Sequence, residues 1–178
     1  MLKRLNDALR DRDHIHGIIR GSGTNQDGSK NGLIAPKAAS QTALQRQVYE
    51  ESDTNPESID YIEAHGLSSR LGDEIELLAL KQTFSHFTER KEFCVIGSLK
   101  PNIGHPVAAS GIAMLFKVLL ALRHGKLPPQ LGLEHVNENL GFGTGPFCLK
   151  PDLTDWSRRE GKPRRAATRT RARLAPVG

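Results

Sequence analysis

The sequence predicts an α/β fold, and three observations carry that prediction. Short apolar runs alternate with helical patterns at the spacing of strand–helix–strand crossover units. Two of those runs lead directly into tight glycine-containing turns that carry a histidine: Glu63-Ala64-His65-Gly66, and the stretch from Gly97 through Ser98, Leu99, Lys100, Pro101, Asn102, Ile103 and Gly104 to His105. The third is residues 108–124, apolar around almost the whole helical circumference, as in a helix buried between layers.

The elements follow in order. Residues 2–12 carry Leu2, Leu5, Ala8 and Leu9 at helical spacing. Residues 14–20 read as a short strand, and residues 21–32, with four glycines plus Asn25, Asp27 and Asn31, as a loop. Ser40 is placed as the cap of a helix reaching about Ser52, and Asn55-Pro56 ends that pattern. Residues 59–64 form a strand leading to His65. A helix opens at Asp73, where Asp73, Glu74 and Glu76 suit its positive end, and runs to about Phe87. Residues 93–98 form the next strand. The helix of residues 108–124 is closed by Gly125, Leu127-Pro128-Pro129 forces an extended exit, and residues 146–150 supply one more strand. A helix buried on both sides calls for more than three layers, so part of its covering is expected to come from sequence outside these 178 residues.

Composition narrows the function. The formal charge of +5 is uneven: eight of the 25 basic residues but only one of the 20 acidic residues follow Trp156, so residues 1–156 sum to about −2. The expected organisation is a domain over 1–156 and a basic, disordered tail over 157–178. Two cysteines, Cys94 and Cys148, are too few for a disulfide framework and fit a reducing cytoplasm. No apolar run reaches the roughly 20 residues of a membrane span, since Ser110 and Lys117 interrupt the nearest one. The first residues lack the apolar core of a signal peptide. Metal binding is not implied: His14 and His16 share a strand face with no third ligand nearby. The 21–32 loop lacks the Gly-Lys-Ser/Thr ending of a phosphate-binding loop. His86, His124 and His135 sit at element ends or in loops and read as solvated. The basic tail has no aromatic beyond Trp156 to stack on bases, so nucleic-acid binding is the weaker reading.

Taken together, the helix around Leu2-Lys3-Arg4-Leu5 and Asp7-Ala8-Leu9, the run from Ile19 to Gly28 with Ala35-Pro36, Glu63-Ala64-His65-Gly66, Leu71-Gly72-Asp73 with Ile75-Glu76, and the Gly97-to-His105 turn resemble the C-terminal half of a β-ketoacyl synthase. The ketosynthase domains of modular polyketide synthases, in the thiolase superfamily, are the nearest pattern. The resemblance implies a layered α-β-α-β-α thiolase-like fold with a mixed sheet and a buried helix. It implies acyl transfer to a cysteine followed by decarboxylative Claisen condensation with malonyl-acyl carrier protein. On this resemblance His65 and His105 are the catalytic pair, donating from neutral imidazole to a developing enolate oxygen. Lys100, Asn102 and Gly104 support them, and Ser69 and Leu67 occupy the pantetheine-contacting positions. No cofactor is implied beyond the phosphopantetheine carried by the acyl carrier protein. The implied partners are that carrier protein, an N-terminal ketosynthase half and a second copy of the intact domain.

The chain departs from the family pattern in three places. The nucleophilic cysteine is not found: Cys94 and Cys148 both read as strand residues, so the fragment alone is expected to be inactive. Leu67-Ser68-Ser69 stands where the family has Thr-Gly-Thr. After Ala166 the family's Ser-Phe-Gly turn, glycine-rich stretch and last strand are replaced by Ala167-Thr168-Arg169-Thr170-Arg171, which a frameshift would explain. The alternative reading is a non-catalytic pseudo-ketosynthase module that docks a carrier protein or a partner chain. Glu63 is read as a strand residue beside the pocket, and Asp73 and Glu76 as helix-start acids.

Overall fold

The computed structural model describes residues 1–26, 37–66, 69–133, 136–137, 140–158 and 161–170. Four parallel strands form the centre: β1 (Tyr61–Glu63), β2 (Cys94–Gly97), β4 (Phe147–Cys148) and β6 (Ala166–Thr168), in the order β4-β2-β1-β6. β1 and β2 are joined through α3 (Arg70–Ser85), the crossover that parallel pairing requires. Antiparallel pairing, expected within a mixed sheet, is confined among the described residues to a separate ribbon of β3 (Lys126–Leu127) and β5 (Thr154–Asp155).

Alternation along the strands builds two cores. Ile62, Ala64, Cys94, Ile96 and Phe147 face α3 and α2 (Ala38–Glu51), where Tyr49, Leu77, Leu80 and Phe84 close the layer. Tyr61 and Val95 face the other way, against Val118 and Ala121 of α5 (Ser110–His124), with Leu127 and Trp156 completing that side. α5 thus has one buried face, formed by Ser110, Met114, Val118 and Ala121. Ile112, Phe116 and Leu120, spaced four apart along the opposite face, are each more than half exposed. The helical run Val107–His124 has the length and hydropathy of a membrane span, but its packing on the sheet is that of a core helix with one side uncovered. Gly125 ends it in the left-handed conformation (φ +62), as expected.

Several boundaries differ from the sequence reading. The first helix, α1, is shorter, Leu5–Arg10. Residues 14–20 belong to no strand: a ladder needs a neighbour, and this stretch instead runs over helices, with Gly17 against Leu119 of α5 and Gly21 and Gly23 against Val48 of α2. Ser40 lies inside α2, whose first residue is Ala38 and whose N-cap is Lys37. α3 begins three residues before Asp73. A 3₁₀ turn, Val107–Ala109, precedes α5. Of the loop expected at 21–32, residues 27–32 lie outside the described residues, as do Leu67 and His135.

The tail expected to be disordered from residue 157 is corrected over 161–170. β6 pairs with β1 in register, Tyr61 opposite Ala166 and Glu63 opposite Thr168. Asp60 N–H donates to Arg165 O (3.0 Å) and Arg169 N–H to Glu63 O (3.0 Å). Arg164 donates to the carbonyls of Trp156 and Leu122. The composition of this stretch is that of a solvated tail, but the unpaired edge of β1 supplies a template that composition does not register.

Candidate active site at the ends of β1 and β2

Register places the two histidine turns side by side. β1 and β2 are parallel, with Glu63 opposite Gly97, so the chain leaves both strands at the same end of the sheet, where α/β folds gather their chemistry. From β1 comes Ala64-His65-Gly66. From β2 come Ser98 and Leu99 and then α4 (Lys100–Ile103), a single helical turn ended by Gly104 at φ +78. The return of the chain brings His105 over His65. The ring centroids are 5.5 Å apart and the planes nearly perpendicular at 88°.

His65 is buried and His105 exposed. The His105 Nδ1 accepts from the Val107 backbone N–H (3.4 Å) and lies 3.2 Å from the Ser110 hydroxyl. An Nδ1 that accepts leaves the proton of a neutral ring on Nε2. Lys100, also buried, donates from Nζ to the His65 carbonyl and sits 3.3 Å from His65 Nδ1, which assigns the same tautomer there. Desolvation holds the Lys100 pKa below its ordinary value, with the carboxylates of Glu76, Glu63 and Asp73 opposing that shift. Asn102 is exposed, and its backbone N–H closes the α4 turn on Leu99 O (2.9 Å), while Gly104 N–H donates to Lys100 O (2.8 Å). Ser69 is exposed at the N-cap of α3 and its hydroxyl makes no capping bond.

Two carboxylates do more than the sequence reading gave them. Glu76, read as a helix-start acid, is almost fully buried and accepts both the His65 N–H (2.9 Å) and the Gly66 N–H (3.0 Å). Arg169 reaches the same carboxylate at 3.6 Å. Glu63 is fully buried and accepts from Tyr61 Oη (2.5 Å), Leu99 N–H (2.6 Å) and Lys117 Nζ (2.7 Å). Ser98 adds a cross-link between the turns, its hydroxyl donating to Gly66 O (3.2 Å). The available signal for Glu63 was an acid among the apolar residues Tyr61, Ile62 and Ala64; for Lys117, it was the single cation within the apolar run of residues 112–122.

Neither cysteine lies at this end of the sheet. Cys94 opens β2 and is fully buried; Cys148 pairs beside Val95, and burial pushes its thiol up. Trp156 is buried with its Nε1–H on Asp60 (3.0 Å), so it offers no stacking surface for a base. The rings of His14 and His16 meet edge to face at 4.5 Å, and no group of three metal-ligating side chains occurs among the described residues. A surface trough of about 640 Å³ lies at the far end of α3, among Glu57, His86 and Arg90, away from the histidine pair.

Residues 16–134 match the family described as Beta-ketoacyl synthase, C-terminal domain. The chain belongs to that family. Polyketide synthase PksL of Bacillus subtilis strain 168 is 51% identical over 166 residues, which is 93% of this chain and 4% of that protein. Polyketide synthase PksM of the same organism is 42% identical over 164 residues, again 4% of its length. Among solved structures, the ketosynthase from module 6 of the bacillaene synthase of B. subtilis 168 superposes with a TM-score of 0.91 at 50% identity, covering 93% of this chain and 30% of that one. Ketosynthase twelve of the bacillaene polyketide synthase of Bacillus amyloliquefaciens gives 0.90 at 40%, covering 94% and 30%. The fold is thiolase-like, and the chain corresponds to the C-terminal part of a modular polyketide synthase ketosynthase. It spans less than a third of the ketosynthase chains it matches.

Proposed function

We propose that this chain is the histidine-bearing half of a ketosynthase that performs decarboxylative Claisen condensation, with the attacking thiolate contributed by an N-terminal half outside these residues. The observation that carries the reading is the pair of imidazoles 5.5 Å apart, each with its Nδ1 engaged by the protein. Two Nε2–H donors so fixed suit one thioester oxygen as it gains negative charge while malonyl-acyl carrier protein loses carbon dioxide. Lys100 holds His65, Glu76 holds the His65 backbone, and the α4 turn through Asn102 and Gly104 returns His105 to the site. Ser69 retains one exposed hydroxyl for the phosphopantetheine arm, at the α3 N-cap. The uncovered stripe of Ile112, Phe116 and Leu120 suits the N-terminal half, and the intact domain would form a homodimer in the cytoplasm.

The test is co-expression with an N-terminal ketosynthase half that carries a reactive cysteine, followed by acyl loading and condensation with malonyl-acyl carrier protein. Condensation is expected, falling at least about 100-fold in His65→Ala and in His105→Ala. A loaded, stable pair that forms no carbon–carbon bond would leave the second reading, a pseudo-ketosynthase module that docks a carrier protein or partner chain. The specific observation favouring that second reading is Arg169, whose guanidinium occupies the Glu76 carboxylate just past β6, where the family has its Ser-Phe-Gly turn. Reading the coding DNA in the other two frames after Ala166 tests whether a frameshift placed Arg169 there.

A further inference from the structure

Glu63 sits at the junction of three elements that the histidine pair depends on. It is the last residue of β1, two residues before His65. Its Oε1 accepts the N–H of Leu99, the residue that leads into the Lys100 turn, at 2.6 Å. Its Oε2 accepts from Tyr61 Oη at 2.5 Å and from Lys117 of α5 at 2.7 Å. The carboxylate is fully buried and the Lys117 side chain 13% exposed. Lys117 also lies over the Tyr61 ring, its Nζ 5.7 Å from the centroid.

The arrangement is built into the backbone around it. Tyr61 Oη passes over Gly97, where a Cβ would lie 2.7 Å from the hydroxyl oxygen, so the residue opposite Glu63 has to be glycine for the tyrosine to reach the carboxylate. Leu99 N–H has an acceptor at the point where β2 ends and its ladder partners run out. Stability alone is a poor account of such a group. Burying an ion pair costs desolvation that its attraction roughly repays, and an apolar replacement of both members is often neutral or better. What an ion pair between strand, turn and helix supplies is a fixed relative position.

The geometry points to Glu63, fixed by Lys117 and Tyr61, as a positioning residue for the histidine pair: its carboxylate sets where the Lys100 turn stands, and through Lys100 it sets the ring of His65. The chain of contacts is short. Glu63 holds Leu99; the next residue is Lys100; Lys100 Nζ meets the His65 carbonyl and Nδ1. Lys117 ties the same carboxylate to α5, whose first residue, Ser110, faces the Nδ1 of His105. This inference rests on the reading of His65 and His105 as a donor pair, and the experiment separates the two.

The experiment is ¹⁵N–¹H long-range correlation of the imidazole rings in the 178-residue chain, which reports tautomer directly, alongside thermal melting. The wild-type chain is expected to show both rings as single Nε2–H tautomers. Glu63→Ala is expected to shift the His65 Nδ1 resonance to the averaged position of a ring exchanging between tautomers, matching the shift in Lys100→Met. Glu63→Gln combined with Lys117→Met keeps an oxygen for Leu99 N–H and removes both charges, and is expected to restore the wild-type ring signature. A His65 signal unchanged in Glu63→Ala overturns the proposal, whatever happens to the melting temperature. So does a double variant that melts like wild type yet leaves the ring averaged. If Glu63→Ala does not fold, Lys117→Met decides, because it leaves the carboxylate a buried charge without its cation, a charge that the double variant lacks: an unmoved His65 signal there overturns the proposal, and a moved one supports it. A wild-type chain with averaged rings also overturns it. None of these readouts involves condensation, so a failed condensation assay with intact ring signatures would count against the donor-pair function and leave the positioning result standing.

Discussion

Val107 takes φ +47, in the left-handed region that β-branched side chains avoid. It does so one residue after Pro106, with its side chain mostly exposed and its N–H turned to His105 Nδ1. The strain is therefore borne by the backbone that fixes the His105 ring. Val107→Gly is expected to raise the melting temperature, by about 1 kcal/mol of stability, since relief of a left-handed β-branched residue outweighs the entropy that glycine loses; thermal denaturation of the two chains checks it. Lys100 gives a pH dependence with a definite sign. Burial holds its folded pKa below the ordinary 10.5. In the window between that lowered value and 10.5 the unfolded chain binds the Lys100 proton more fully than the folded chain, so this contribution to stability rises with pH there. Below the window the cost is constant and fully present. Denaturant midpoints of wild type and Lys100→Met, compared as pH rises through the alkaline range toward 10.5, are expected to show a gain in the wild type that the variant lacks. Both histidines were identifiable from their turns, because glycine and proline spacing after an apolar run is local information. Glu63 and Glu76 were not, because their partners lie up to 54 and 93 residues away, at Lys117 and Arg169.

α5 shows how a correct pattern can be half of an answer. Its sequence is apolar on nearly every side, which called for cover on every side, yet only the face of Met114, Val118 and Ala121 is fully buried. Met114→Ala is expected to cost about 2–5 kcal/mol, the range for removing a buried side chain of that size. Phe116→Gln, on the open face, is expected to change stability by less than about 0.5 kcal/mol while reducing self-association, as read by light scattering on the isolated chain. A loss of stability in Phe116→Gln comparable to that in Met114→Ala would mean that the outer face is covered within the chain itself. The stretch 14–20 is the converse case. Its residues have strand character, but pairing is a property of two segments, and among the described residues no neighbour stands beside it.

Across the molecule, the C-terminal segment decides whether the chain is a domain with a tail or a domain that needs its tail. Arg164, Arg165 and Arg169 give it the composition of a solvated run, yet β6 closes one side of the sheet and Arg164 caps the Leu122 and Trp156 carbonyls. Ending the chain after Arg158 is expected to lower stability by roughly 3 kcal/mol or more, at about 1 kcal/mol for each lost hydrogen bond, and to shift the denaturant midpoint accordingly. An unchanged midpoint would return this segment to the status of a tail. Equilibrium denaturation followed by Trp156 fluorescence reports it directly, since that ring is packed against Tyr61.

What the sequence determined by itself was local and periodic: the strand–helix–strand unit from β1 through α3 to β2, the long helix that follows, the two histidine turns, the glycine stop of α5, and the family whose motifs those turns carry. Turn chemistry and side-chain periodicity are properties of a few neighbouring residues, so they survive without coordinates. The tertiary structure alone decided which groups meet: that register sets Glu63 opposite Gly97, that His105 folds back over His65, that two distant carboxylates hold the turns, and that a basic segment completes the sheet. Those are contacts between residues far apart in the chain, and each is fixed only once strand pairing has closed the intervening loops.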